Sequence, residues 1–80
     1  MDNKSHFHDD YYYYDIVRKN IKKYRKLANL TQQELADLIG YNEGTIANIE
    51  NSSYQTFSLE FLYIISKQLN EPMSEFFIEE

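Results

Sequence analysis

The stretch TQQELADLIGYNEGTIANIEN, residues 31–51, spells out two short helices and the turn between them. T-Q-Q-E puts a Thr N-cap three residues ahead of Glu34, the spacing of a capping box in which each side chain satisfies the other's free backbone amide. Leu35, Ala36, Leu38 and Ile39 follow as one apolar face over two turns. Gly40 ends that helix, because glycine enters the left-handed region without a Cβ clash. Asn42 is placed to cap the next helix, predicted over Glu43–Glu50 with Ile46 and Ile49 inward.

The surrounding chain keeps the helical period. Upstream, Tyr14, Val17, Ile21, Tyr24 and Ala28 recur at intervals of three and four, and Asn29 is a suitable left-handed stop. Downstream, NSSYQT (51–56) reads as a loop. Ser58 then caps a helix with Leu59, Leu62, Ile65 and Leu69 inward, ending near Asn70, and Pro72 suits the first turn of a short fifth helix carrying Met73, Phe76 and Phe77. No repeat and no strand-like alternation is present. Residues 1–12 are expected to form a flexible tail, opening on the polar and aperiodic MDNKSHFHDD, ahead of one domain over 13–80. The expected class is all-α.

Composition narrows the function. Eighty residues allow one domain, and a 42% hydrophobic, 16% aromatic chain can fill a core. Without cysteine there are no disulfides, thiolate metal sites or cysteine nucleophiles. No apolar run approaches a membrane span and no signal peptide is evident, so a cytoplasmic protein is expected. The net charge of −5 is unevenly divided. Residues 1–29 carry seven Lys and Arg against four acids, whereas residues 30–80 carry Lys67 alone against nine. One basic segment, concentrated at 18–26, is thus joined to an acidic body, which permits nucleic-acid binding through one face only. No Ser/His/Asp set, carboxylate pair or glycine-rich phosphate loop appears, which points away from an enzyme. His6 and His8 form H-x-H, but two ligands on a tail make a poor metal site, and no metal or cofactor is expected.

QQELADLIGYNEGTIANIEN (32–51) resembles the helix-turn-helix of the Cro and phage-repressor (Xre-like) family, and the likeness runs over residues 21–77. It implies a five-helix, lambda-repressor-like domain, with the helix at 43–50 in the DNA major groove and the preceding helix across the phosphate backbone. With Ile46 and Ile49 inward, the outward face is Glu43, Gly44, Ala47 and Asn48. Asn48 can pair with adenine through both amide atoms, Glu43 can accept from cytosine N4, Ala47 can touch a thymine methyl, and Gly44 allows close approach. Thr31, Gln32, Asn42, Asn51 and Ser53 are the expected phosphate contacts. The resemblance also implies an ion pair between Arg25 and Glu50. Two departures stand out: family members commonly carry Arg, Lys or Gln on this face, and basic residues in the loop after it. Here the loop has none.

The expected function is that of a DNA-binding transcriptional regulator, a repressor that occupies an operator as a homodimer. The dimer surface is expected in the C-terminal segment (Phe76, Phe77, Ile78), or in the run Tyr11, Tyr12, Tyr13, Tyr14, whose rings point in every direction of a helix. The rivals are a protein-interaction module on the same fold, an antitoxin or controller-type accessory, and the DNA-binding part of a longer regulator.

Overall fold

The structure is a computed structural model that describes residues 10–80. His6, His8 and the first nine residues lie outside it. Four α-helices and a 3-10 turn make up the described chain: α1 Tyr12–Leu27, α2 Gln32–Ile39, α3 Glu43–Asn51, α4 Leu59–Leu69 and the 3-10 helix Met73–Phe77. No described residue is in a strand.

Local chemistry places the boundaries. The Thr31 hydroxyl accepts from the Glu34 amide at 3.0 Å while the Glu34 carboxylate accepts from the Thr31 amide at 2.8 Å, completing the capping box. Asn42 and Ser58 cap α3 and α4 by the same side-chain route, at 2.8 and 3.0 Å. Gly40 at φ 78°, and Asn29 and Asn70 at φ 61° and 58°, turn the chain out of its helices. α1 begins at Tyr12, one residue inside the stretch assigned to the tail, and α3 runs one residue past the predicted Glu50.

The fifth helix is a correction. Met73–Phe77 is a 3-10 turn rather than an α-helix, and Pro72 precedes it in extended conformation. Five residues are too few for a stable run of i→i−4 bonds. What holds the segment is tertiary: Phe76 is fully buried, and the buried Asn20 side chain on α1 donates to the Phe76 and Ile78 carbonyls at 2.8 and 2.9 Å.

The core gathers Val17 and Ile21 of α1, Leu35 and Ala36 of α2, Ile46 and Ile49 of α3, Phe61, Leu62, Ile65 and Leu69 of α4, and Phe76. Ala36, with no exposed surface, lets α2 and α3 cross closely. Three residues read as inward are not. Leu38 and Leu59 are 54% and 71% exposed, because Leu35 with Ala36, and Phe61 with Leu62, already fill the narrow contact stripes. Ala28 is exposed at the C-cap of α1. Phe61, unassigned from the pattern, is core, and rings of Tyr41 and Phe57 stand against it at 5.2 and 5.9 Å.

Candidate nucleic-acid interface

Helix α3 presents one polar face. Glu43, Gly44 and Asn48 are exposed and Ala47 is half-buried, while Ile46, Ile49 and Glu50 point into the domain. No hydrogen bond engages the Asn48 amide or the Glu43 carboxylate within the described residues, so both are available to a ligand. The Asn42 carbonyl oxygen caps α3 and also accepts from the Thr45 hydroxyl at 3.0 Å, leaving the Asn42 NH2 free to donate. Asn51 and Ser53 are exposed beyond it. An added Cβ at Gly44 meets only Asn42 Oδ1, at 3.4 Å, so the chain itself does not demand glycine there.

A buried ionic junction fixes this face. Arg25 donates from Nε and Nη2 to the two oxygens of Glu50 at 2.7 and 2.9 Å, and from Nη1 to the Leu30 carbonyl at 2.7 Å. The Glu50 side chain is completely buried. Gln32 adds a third donor to the same carboxylate at 3.0 Å. α1, α2 and α3 therefore converge on one carboxylate. Gln32, read from the sequence as a phosphate contact, has one amide hydrogen committed to Glu50 and one remaining.

Arg18 was the residue that sequence reasoning missed. Placed with the solvated basic run, it is in fact buried, and it binds Asp15 at 3.0 Å, the Ile49 carbonyl at 2.7 Å and the Gln55 carbonyl at 3.0 Å. It ties α1 to the end of α3 and to the following loop. The available signal was spacing: Arg18 lies seven residues before Arg25, two turns up the same helix face.

The basic segment is consequently less available than its count implies. Arg18 and Arg25 are internal, and Lys23 pairs with Glu80. Lys19, Lys22 and Lys26 have no acidic partner among the described residues. No cation lies on the outward face of α3 or in the loop after it. The aromatic run is also partly engaged: Tyr11 stands edge-on to Tyr54 at 5.4 Å, Tyr14 to Phe57 at 5.0 Å, and the Tyr12 hydroxyl donates to Glu79 at 2.9 Å. Phe76 has no exposed surface, so it drops out of the expected dimer contact, because the core has claimed it. Among the described residues no group of His, Cys, Asp and Glu could hold a metal, and no helix is long and apolar enough to cross a membrane.

Comparison with known proteins agrees with this arrangement. Residues 21–76 match the Helix-turn-helix family model. An uncharacterised HTH-type transcriptional regulator of Archaeoglobus fulgidus is 36% identical over 62 residues, covering 78% of this chain and 86% of the relative. A second of that description, from Methanocaldococcus jannaschii, is 36% identical over 64 residues, with 80% and 96% covered. The control protein C.SmaI of Serratia marcescens is 32% identical over 56 residues, with 70% and 66% covered. With the capped helix pair, the glycine turn and the buried Arg25–Glu50 junction all in place, the chain belongs to the Xre-like helix-turn-helix family.

Proposed function

We propose that the chain is a DNA-binding transcriptional regulator that represses by occupying an operator, with α3 in the major groove and the N-terminus of α2 against the backbone. The observation that carries the reading is the face of α3. Asn48, Glu43, Gly44 and Ala47 face outward with their hydrogen-bonding groups unused, while the Arg25–Glu50–Gln32 junction holds the helix that bears them. In this reading Asn48 pairs with adenine and Glu43 accepts from cytosine. Thr31, the second amide hydrogen of Gln32, the Asn42 amide, Asn51 and Ser53 position the backbone. The protein acts by binding alone, in the cytoplasm and without a cofactor, as a homodimer. Similarity to a protein named a control protein favours a controller-type role within this class.

The test is selection of duplexes from a random pool, followed by salt titration of the best one. Affinity should fall steeply with salt and exceed that for scrambled duplex. Asn48→Ala should lose ~1–3 kcal/mol on the selected site and relax preference at one base position. Identical motifs from wild type and Asn48→Ala would remove Asn48 from the readout. No salt-dependent binding to any duplex would favour the protein-interaction module instead.

A further inference from the structure

The loop between α3 and α4 carries no positive charge, yet it holds the most exposed ring among the described residues' buried-or-exposed large apolar side chains. Tyr54 is 77% exposed, three positions past the end of α3. Its backbone is not loose. The Tyr54 amide donates to the Ser52 hydroxyl at 3.4 Å, the Gln55 amide to the Ser52 carbonyl at 3.3 Å, and the buried Arg18 holds the Gln55 carbonyl from beneath. Tyr11, at the N-cap of α1, sets its ring perpendicular to that of Tyr54 at 5.4 Å. The tyrosine start of α1 thus braces a surface ring. No hydrogen bond engages the Tyr54 hydroxyl within the chain. Exposure of a loop-tip tyrosine is ordinary in itself; a loop fixed by a buried arginine and a ring fixed by a second ring is a prepared surface.

We infer that Tyr54 is a contact to the DNA sugar-phosphate backbone and that Tyr11 is its positioning residue. The inference rests on the regulator reading above. With α3 in the groove, the segment leaving its C-terminus runs beside the backbone, where a phenol O–H can donate to a phosphate oxygen and the ring can lie on deoxyribose. A phenol is neutral. It therefore adds affinity without displacing counterions, so removing it leaves the salt dependence of binding where it was. That separates Tyr54 from any lysine contact.

The experiment compares wild type, Tyr54→Phe, Tyr54→Arg, Tyr11→Phe and Tyr11→Ala by fluorescence anisotropy on the selected and a scrambled duplex across salt, with melting temperatures alongside. Tyr54→Phe should weaken both duplexes alike by about tenfold, as for loss of a hydrogen bond to a charged group, with unchanged salt slope and unchanged melting. Tyr54→Arg should bind more tightly and steepen the slope by about 0.9. Tyr11→Ala should weaken both duplexes, and Tyr11→Phe, which keeps the ring, should restore them. Wild-type affinity and slope in both Tyr54 variants would overturn the inference while the regulator reading stands. So would a steeper slope in Tyr54→Arg with no loss in Tyr54→Phe, or a loss confined to the selected duplex. A wild type that binds no duplex would overturn both.

Discussion

Glu50 accepts three hydrogen bonds from two side chains on two other helices, all without access to water. An uncompensated buried charge is expensive, so Glu50→Gln or Arg25→Met should each cost ~3–5 kcal/mol. Arg25→Met with Glu50→Leu should cost less than either change alone. Denaturant midpoints equal to wild type in the single variants would mean the junction contributes little. Gly44 gives the opposite balance. It sits in the first turn of α3 with helical φ and room for a methyl, so Gly44→Ala should stabilise the fold by up to ~1 kcal/mol. If α3 enters a groove at this position, the same methyl should weaken DNA binding. A variant that gains stability and keeps full affinity would place Gly44 away from the bases. The Glu50 pairing was accessible from the sequence only through resemblance, since no local pattern links positions 25 and 50. The Arg18 anchor was not accessible that way, because its partners are two backbone carbonyls that any residue type supplies.

Among the elements, caps were readable from the sequence because their chemistry is local. Thr31, Gly40, Asn42, Ser58 and Asn70 act on amides or turns within a few residues, and each performs the expected task. Side-chain direction at the edges of α2 and α4 was not readable, since Leu38 and Leu59 satisfy the period as well as their buried neighbours do. The 3-10 segment shows the same limit: its conformation follows from Asn20 and from Phe76 in the core. Removing the Asn20 amide strands two carbonyls beneath the C-terminal residues, so Asn20→Ala should lower stability by ~1–3 kcal/mol. Hydrogen exchange should show the loss concentrated in 73–80. Alkali should release the same segment. The Tyr12 phenol is held above its ordinary pKa chiefly by its hydrogen bond to Glu79, and Lys23 above its own chiefly by Glu80. Tyr24 is raised first by burial, then by its bond to Glu75. Groups raised in the folded state add stability below their unfolded values, about pH 10, and lose it as pH climbs through the folded ones. Melting temperature should therefore fall between pH 10 and 11, and Tyr12→Phe with Lys23→Met should flatten that fall. An equal fall in the double variant would exclude the latch.

For the molecule as a whole, the open matter is how one small domain selects a site in a genome. A single recognition helix reads few base pairs, so regulators of this kind pair two-fold and read half-sites about one helical turn apart. The surface suited to pairing lies where the two ends of the chain meet. Tyr13, Leu59, Phe77 and Ile78 are half or more exposed, and Tyr13, Phe57, Leu59, Leu62 and Phe77 line an apolar groove of about 370 Å³. Exposed apolar area of this kind commonly marks a contact between proteins. The two candidate segments are therefore one surface rather than alternatives, with Phe76 beneath it as support. A second copy covering this surface would leave α3 and its loop, on other parts of the chain, open to DNA. Phe77→Asp puts a charge on the surface without entering the core, so the fold should persist. Sedimentation equilibrium at micromolar concentration should show a dimer for wild type and a monomer for the variant. Affinity for the selected duplex should fall at least tenfold, while affinity for a single half-site changes little. A wild type that stays monomeric across that range, with Phe77→Asp indistinguishable from it, would confine these side chains to packing within one chain. Site selection would then have to come from a single domain, and the selected motif would lack two-fold symmetry.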